Sequence, residues 1–365
     1  METIDHIYMK VLYNGKNITA DLSKSLMSFN YTDNMSEADT LDISVEDSEC
    51  KWQSEWYPQK GAKITAEIGI LGSEVLDCGT FEIDEIEFTG SPDSVNIRSI
   101  AAGFKQGQKR TLKSHVHEKK TLSEIVHTIA ADLGLKVIGN VSQVKVDRLV
   151  QQKKGNLTML KKLASRYGCT FNVRDQNLIF IKNEELEGKQ AVEYFDKTDL
   201  ISFSLTDRTF GTYSSASIKF HNPTAGSVIN YKTSEGGLPN SDDVLHLDYS
   251  VDSMEQAQQM TKSALREANK MQQSGNVSFP GSTVLISGNV ISLLRLGRLS
   301  GDYLIKSASH TISSSSGWLV DAEVYKVGFK EEIEKQTEKN TTKKKNTEKK
   351  KTEEESLNFN FKGDY

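Results

Sequence analysis

The side chains of this chain that could do chemistry are seven histidines, three cysteines and a few adjacent carboxylates. His115 and His117 stand two apart, which on a strand puts both rings on one face. Zinc takes three or four ligands at close quarters, and the pair has no companion Asp, Glu or Cys at ligand spacing. His6, His127, His221, His246 and His310 are scattered. Cys50, Cys78 and Cys169 form no Cys-x-x-Cys pair, and their odd number suits a reducing site of synthesis. They read as small buried apolar residues. Asp84 and Glu85 alternate across a strand and read as solvated faces rather than an acid–base pair. There is no Gly-x-Ser-x-Gly elbow and no phosphate-binding loop, and Gly134, Gly139 and Gly155 read as turn and cap residues. The expectation is a protein without catalytic residues, metal or cofactor.

Composition points the same way. The formal net charge is −5, which argues against a general grip on nucleic acid. The 365 residues suffice for two or three domains with sizeable cores. Glu2, Asp5, His6 and Lys10 interrupt any apolar run of a signal peptide, and no apolar stretch is long enough to cross a bilayer. The expectation is synthesis in a cytoplasm with no membrane segment.

The elements that must carry any function are mostly strands. Residues 7–13 are strand-like and run into Asn14-Gly15, a type I′ hairpin signal. Residues 26–32 alternate, and Leu41, Ile43 and Val45 face away from Asp42, Ser44 and Glu46. Segments 62–70, 79–88 and 94–100 repeat the habit, which predicts an antiparallel β domain over 1–108, barrel or sandwich. The pattern changes over 109–195. Thr121-Leu-Ser-Glu124 is a capping box before Leu122, Ile125, Val126, Ile129 and Leu133, with Gly134 as the stop. Asn156 reads as the N-cap of a second helix ending at Gly168, followed by a hairpin over 170–181. These residues predict a small α+β module.

A second β domain is expected over 196–330. It holds an inserted helix, 253–273, opened by the box Ser253-Met-Glu-Gln256 and expected to lie against this β domain. The tail, 331–365, is Lys, Glu, Thr, Asn and Gln up to 356, too poor in apolar surface to order itself. Its end restores alternation with Leu357, Phe359 and Phe361, before Tyr365. That end reads as a docking peptide that adds a strand to a partner, or as a frayed terminus.

The two β domains share residues in the same order. Residues 26–33 read Leu-Met-Ser-Phe-Asn-Tyr-Thr-Asp, and 200–207 read Leu-Ile-Ser-Phe-Ser-Leu-Thr-Asp, pairing Phe29 with Phe203. Gly61 begins a segment echoed from Gly288. Gly79 and Phe81 are echoed by Gly301 and Tyr303, and Thr89 by Thr311. These eight glycine and aromatic positions are the candidate repeat positions. A duplicated β unit lets three chains present a near-sixfold ring.

The order of motifs resembles a known family. Over 121–181 these are Leu122-Ser-Glu-Ile125, Ala130-Ala-Asp-Leu-Gly134, Leu160-Lys-Lys-Leu-Ala164-Ser-Arg-Tyr-Gly168 and Leu178-Ile-Phe180. Over 253–325 they are Phe279-Pro-Gly281, Ser287-Gly288-Asn-Val290, Gly301-Asp-Tyr303, Ser309-His310-Thr-Ile312 and Gly317-Trp318. Together, across about residues 5–329, they resemble the phage late control protein D family, the baseplate hubs of contractile tails, to which the hub portion of VgrG is related. The resemblance implies a homotrimer. Its two tube-like antiparallel β-barrels per chain flank an α+β module and adapt a sixfold tail tube to a threefold spike. It implies as partners the tube or tube-initiator protein, the spike protein and other baseplate proteins. DNA or an effector would pass through the lumen unbound, which a mildly acidic wall suits. The place implied is a virion or related extracellular particle. No spike follows residue 329, so the spike would be a separate protein, with the 357–365 segment as its candidate binding strand. Two rivals are weighed. Residues 146–183 are similar to the LysM peptidoglycan-binding motif, although the flanking β domains repeat and that unit does not. A wall hydrolase would need a carboxylate or Cys-His constellation that the residues lack.

Overall fold

The computed structural model describes residues 6–102, 112–174, 176–222, 227–234 and 243–327. Strand β1 (Ile7–Tyr13) turns into the short β2 (Lys16–Asn17) through Asn14 and Gly15, whose φ angles of 47° and 82° are those a primed turn requires. Helix α1 (Thr19–Ser25) buries Leu22. Then come β3 (Leu26–Asn34), β4 (Thr40–Glu46), β5 (Lys63–Ile70), β6 (Val75–Thr89) and β7 (Ser94–Ala101). Period-two alternation decides their faces: Leu41, Ile43 and Val45 are buried on β4 while the residues between them are not.

The middle of the chain holds β8 (Leu112–Thr121), α2 (Leu122–Leu133), β9 (Lys136–Ile138), β10 (Lys145–Gly155), α3 (Asn156–Tyr167), β11 (Cys169–Arg174), β12 (Asn177–Lys182) and the short α4 (Asn183–Glu187). Strands β8 and β10 pair with each other, and β11, β12 and β9 form a three-stranded sheet. The Thr121–Glu124 capping box forms in both directions, and Gly134 closes α2 in the left-handed conformation. The cap of α3 differs from expectation. Gly155 is its N-cap, because the Asn156 side chain is turned inward to accept from Gln151 Nε2 at 3.0 Å.

The remaining strands are β13 (Glu193–Asp196), β14 (Ser202–Asp207), β15 (Ser215–Asn222), β16 (Ser227–Ser234) and β17 (Val244–Leu247). After them come α5 (Met254–Asn269), β18 (Gln273–Pro280), β19 (Val290–Leu294), β20 (Gly301–Ser313) and β21 (Gly317–Lys326). Helix α5 is shorter than the expected 253–273. Ser253 caps it by accepting from Gln256 N, while Gln273 already belongs to β18. The helix packs on the β15–β17 sheet, inside the 196–330 range, but away from the main sheet: Ala257 and Met260 join a core that α2 and α3 share. The Gln256 Nε2–Tyr167 Oη bond of 2.7 Å fixes α5 to α3.

One thirteen-stranded sheet runs β14-β18-β21-β20-β3-β4-β7-β6-β5-β1-β2, with β19 also on β20 and β13 on β19. Within it the succession β3-β4-β7-β6-β5 recurs as β14-β18-β21-β20-β19. The registers recur as well. Phe29 lies opposite Ile43 as Phe203 lies opposite Val277. Ile64 lies opposite Phe81 as Ile291 lies opposite Tyr303. The β6–β7 ladder slips between Ile83 and Glu85, and the β20–β21 ladder slips between Ile305 and Ser307. One continuous core lies behind both runs, from Phe29 and Phe81 to Phe279 and Tyr303. At the far edge the runs diverge: β1 is antiparallel to β5, and β13 is parallel to β19.

Gly61 and Gly288 start equivalent strands with φ of 80° and 82°. Their amides donate to the carbonyls of Ile83 and Ile305, both at 2.8 Å. Only a residue free to take positive φ holds that bond without strain. A Cβ at Gly288 would meet nothing closer than Leu186 Cδ2 at 3.9 Å, so Gly288→Ala probes backbone conformation alone. The expected loss is about 1–2 kcal/mol of unfolding free energy in a denaturant titration.

Candidate assembly site

The side chains that could do chemistry do not converge on one site among the described residues. Among the described residues no three His, Cys, Asp or Glu side chains gather to hold a metal ion. The His115 and His117 rings touch edge to face at 4.6 Å, and burial with its neighbour's charge holds buried His117 below the usual histidine range. Burial pushes the Cys169 thiol up to about 12 and raises Cys78 further, so neither is a ready thiolate, and all three cysteines are free. A polar groove of about 330 Å³ between α3, α4 and α5 is lined by Lys182, Glu184, Lys262 and Arg266 among others, charges of both signs in which Arg266 pairs with Glu184 at 2.5 Å.

The dense polar geometry lies where the two strand runs meet. Strand β20 pairs antiparallel with β3 over seven residues, from Ser307 opposite Asn34 to Ser313 opposite Ser28. On one face Ser309 Oγ donates to Asn30 Oδ1 at 2.7 Å and Thr311 Oγ1 to the same oxygen at 3.3 Å. On the other face Tyr31 stacks on His310 with centroids 5.7 Å apart. The fully buried Asp33 accepts from Ser287 N at 2.7 Å and from Ser287 Oγ at 2.9 Å, and pairs with Arg174. Arg174 Nε also lies 2.7 Å from buried Asp39, whose other oxygen accepts from Asn34 N at 2.9 Å. Asn172 Nδ2 donates to the Asn34 carbonyl at 2.6 Å. So β11 of the middle module is pinned to the seam by two side chains. Motif reading passed over Asp33 and Arg174. The available signal was the Asp that closes the repeated Thr-Asp, at 33 and 207.

His310 sits on β20 with no exposure. Its Nε2 lies 3.0 Å from the Leu285 carbonyl, which can only accept, so Nε2 carries the proton. Desolvation lowers its pKa from 6.5 to about 4, so it is neutral at pH 7.

The candidate repeat positions fall into equivalent places in the strand order, but not into equivalent surroundings. Phe29, Phe81 and Tyr303 are buried, whereas Phe203 is 40% exposed. The reason is that, among the described residues, β3 lies between two strands while β14 has β18 alone. Gly79 and Gly301 both hold positive φ where β6 and β20 begin to pair with β7 and β21. Leu357, Phe359, Phe361 and Tyr365 lie outside the described residues.

No protein-family model matches the chain. The fold is that of phage tail proteins. The prophage MuSo2 43 kDa tail protein from Shewanella oneidensis superimposes with a TM-score of 0.64, covering 88% of this chain and 98% of that one at 14% identity, a likeness of fold alone. By sequence the chain is similar to the probable baseplate hub protein of Escherichia phage 186, at 34% identity over 172 residues, 46% of this chain and 43% of that protein. It is 33% identical over 183 residues to the probable baseplate hub protein of Escherichia phage P2, covering 49% of this chain and 46% of that one. The chain thus spans about half the length of the curated relatives it matches. Over that half it is similar to baseplate hub proteins, in line with the late control protein D resemblance.

Two predictions follow from the seam. Arg174→Met strands two buried carboxylates and should cost about 3–5 kcal/mol in chemical denaturation, with β11 released first in hydrogen exchange. For His310, the unfolded chain takes up a proton below its ordinary 6.5 and the folded one only near 4. Its share of stability is therefore complete above pH 6.5 and lost as pH falls toward 4, by up to roughly 3 kcal/mol. His310→Phe should flatten that part of the stability–pH curve.

Proposed function

We propose that this chain is a structural baseplate hub of a contractile phage tail or a related contractile injection system, and a component of the particle. Three copies form a ring that joins the sixfold tail tube to the threefold spike and encloses an axial channel through which DNA or an effector passes. The observation that carries this reading is the recurrence of strand order, register and bulge along one sheet. A threefold ring of twofold-repeated chains offers a sixfold tube six similar faces. The kinship with baseplate hubs of phages 186 and P2 supports it. Residues 1–108 and 196–330 are assigned to the two tube-like copies and 109–195 to the middle module. The part played is mechanical and needs no catalytic residue. Among the described residues no helix is long and apolar enough to cross a membrane. Tube or tube-initiator, spike and other baseplate proteins are the partners, and Leu357, Phe359, Phe361 and Tyr365 are assigned to docking the spike or another axial component.

The test is co-purification with tube and spike proteins, with mass by light scattering. The full chain should run at three chain masses and bind both. Truncation at residue 330 should keep the trimer and weaken the spike complex. A chain that stays monomeric and retains neither partner contradicts the proposal.

A further inference from the structure

The internal seam is a template for an external one. In the second run β20 is covered on its 307–313 edge by β3. The equivalent edge of β6, residues 85–89, pairs with β7 alone among the described residues. In the first run β3 is covered by β20, while the equivalent β14 pairs with β18 alone among the described residues. One chain therefore leaves open the two edges that its own seam joins. Phe203 is 40% exposed and Phe88 is 38% exposed, although both point to the face that is buried elsewhere, since they lie opposite Val277 and Val95. Long edges of this kind invite pairing with another chain, and natural proteins block them unless they are used.

We propose that β14 of one copy of this chain pairs antiparallel with residues 85–89 of β6 in the next copy, in the register of the internal seam. The inference rests on the ring reading above and adds to it the edges and the register. Ser307 lies opposite Glu323 as Glu85 lies opposite Arg98, and Glu323 opposite Asn276 as Arg98 opposite Asp42, which carries Ser307 onto Glu85 and Asn34 onto Arg208. Ala308 opposite Asp33 becomes Ile86 opposite Asp207, and His310 opposite Tyr31 becomes Phe88 opposite Leu205. Thr311 opposite Asn30 becomes Thr89 opposite Ser204.

The residues suit the register. Phe88 and Leu205 form an apolar pair on the core face, in the place of the Tyr31–His310 stack. Glu85 and Arg208, both exposed, meet with opposite charge on the other face. Thr89 and Ser204 repeat the hydroxyl–polar pairing of Thr311 with Asn30. Tyr57 stacks on Phe88 at 5.7 Å and backs it from within its own copy. Such a contact is head to tail, so it generates a ring when its rotation closes.

The test is a disulfide in the full chain. Thr89→Cys with Ser204→Cys places two thiols directly opposite across the new pair, where antiparallel Cα atoms are about 4.5–5.5 Å apart, within disulfide reach. Exposed Cys50 is replaced by Ser in every sample. Oxidation should convert most of the protein to a covalent trimer on a non-reducing gel. Thr89→Cys with Leu205→Cys, one residue out of register and facing the other side, should stay uncrosslinked. The same proteins are weighed by light scattering under reducing conditions. A reduced trimer that does not crosslink in register overturns the edge pairing and leaves the hub reading standing. A crosslink that appears only after residues 331–365 are removed overturns it in favour of the chain's own tail on that edge. A reduced monomer that never crosslinks overturns both.

Discussion

The seven-residue ladder between β20 and β3 is the contact on which the rest of the structure depends. Backbone donors and acceptors in a buried sheet must be paired, so neither strand can sit at that place without the other. The ladder makes one sheet and one core of two similar strand runs. It also carries the polar anchor of the middle module. Asp33 is buried on β3 within the ladder, opposite Ala308, and its charge is tolerable there only because Arg174 and Ser287 reach it. A carboxylate so placed couples three parts of the chain, and none of them can shift without stranding it.

Repetition then sets a geometric consequence. A strand run that is satisfied at one end by its twin leaves the twin's far end unsatisfied. Phe29 and Phe203 show this most plainly: same motif, equivalent strands, one buried and one 40% exposed. The difference lies in position along the sheet and not in residue type. In the ring proposed above, assembly supplies the strand that each open edge lacks among the described residues. The similarity to the probable baseplate hub proteins of phages 186 and P2 is the reason the proposal above sets that assembly in a tail particle.

Much of this was legible in residues. The alternation in β4, the Asn14-Gly15 turn and the Thr121–Glu124 box are local signals, and each produced the element it specifies. The repeat was legible because a glycine with positive φ must recur wherever the same bond is made, as at Gly61 and Gly288. Partner choice was harder. The stripe of Ala257, Met260 and Leu265 says that α5 buries one face, but not that α3 and the β15–β17 sheet cover it. The Asn156 side chain could cap a helix or turn inward, and Gln151 decided it from the neighbouring strand. Arg174 looked like a turn residue of a hairpin. Its function depends on two aspartates more than a hundred residues earlier, which no local pattern contains.

The central claim is that one chain supplies two equivalent segments of a larger ring. Electron microscopy of the purified assembly viewed down its axis tests it most directly. The account predicts threefold end views whose inner wall shows six similar lobes, alternating in outer bulk where the β15–β17 sheet and α5 are added to one copy. End views with twofold symmetry, or an open filament, or three lobes with no pseudo-sixfold inner wall, would contradict it.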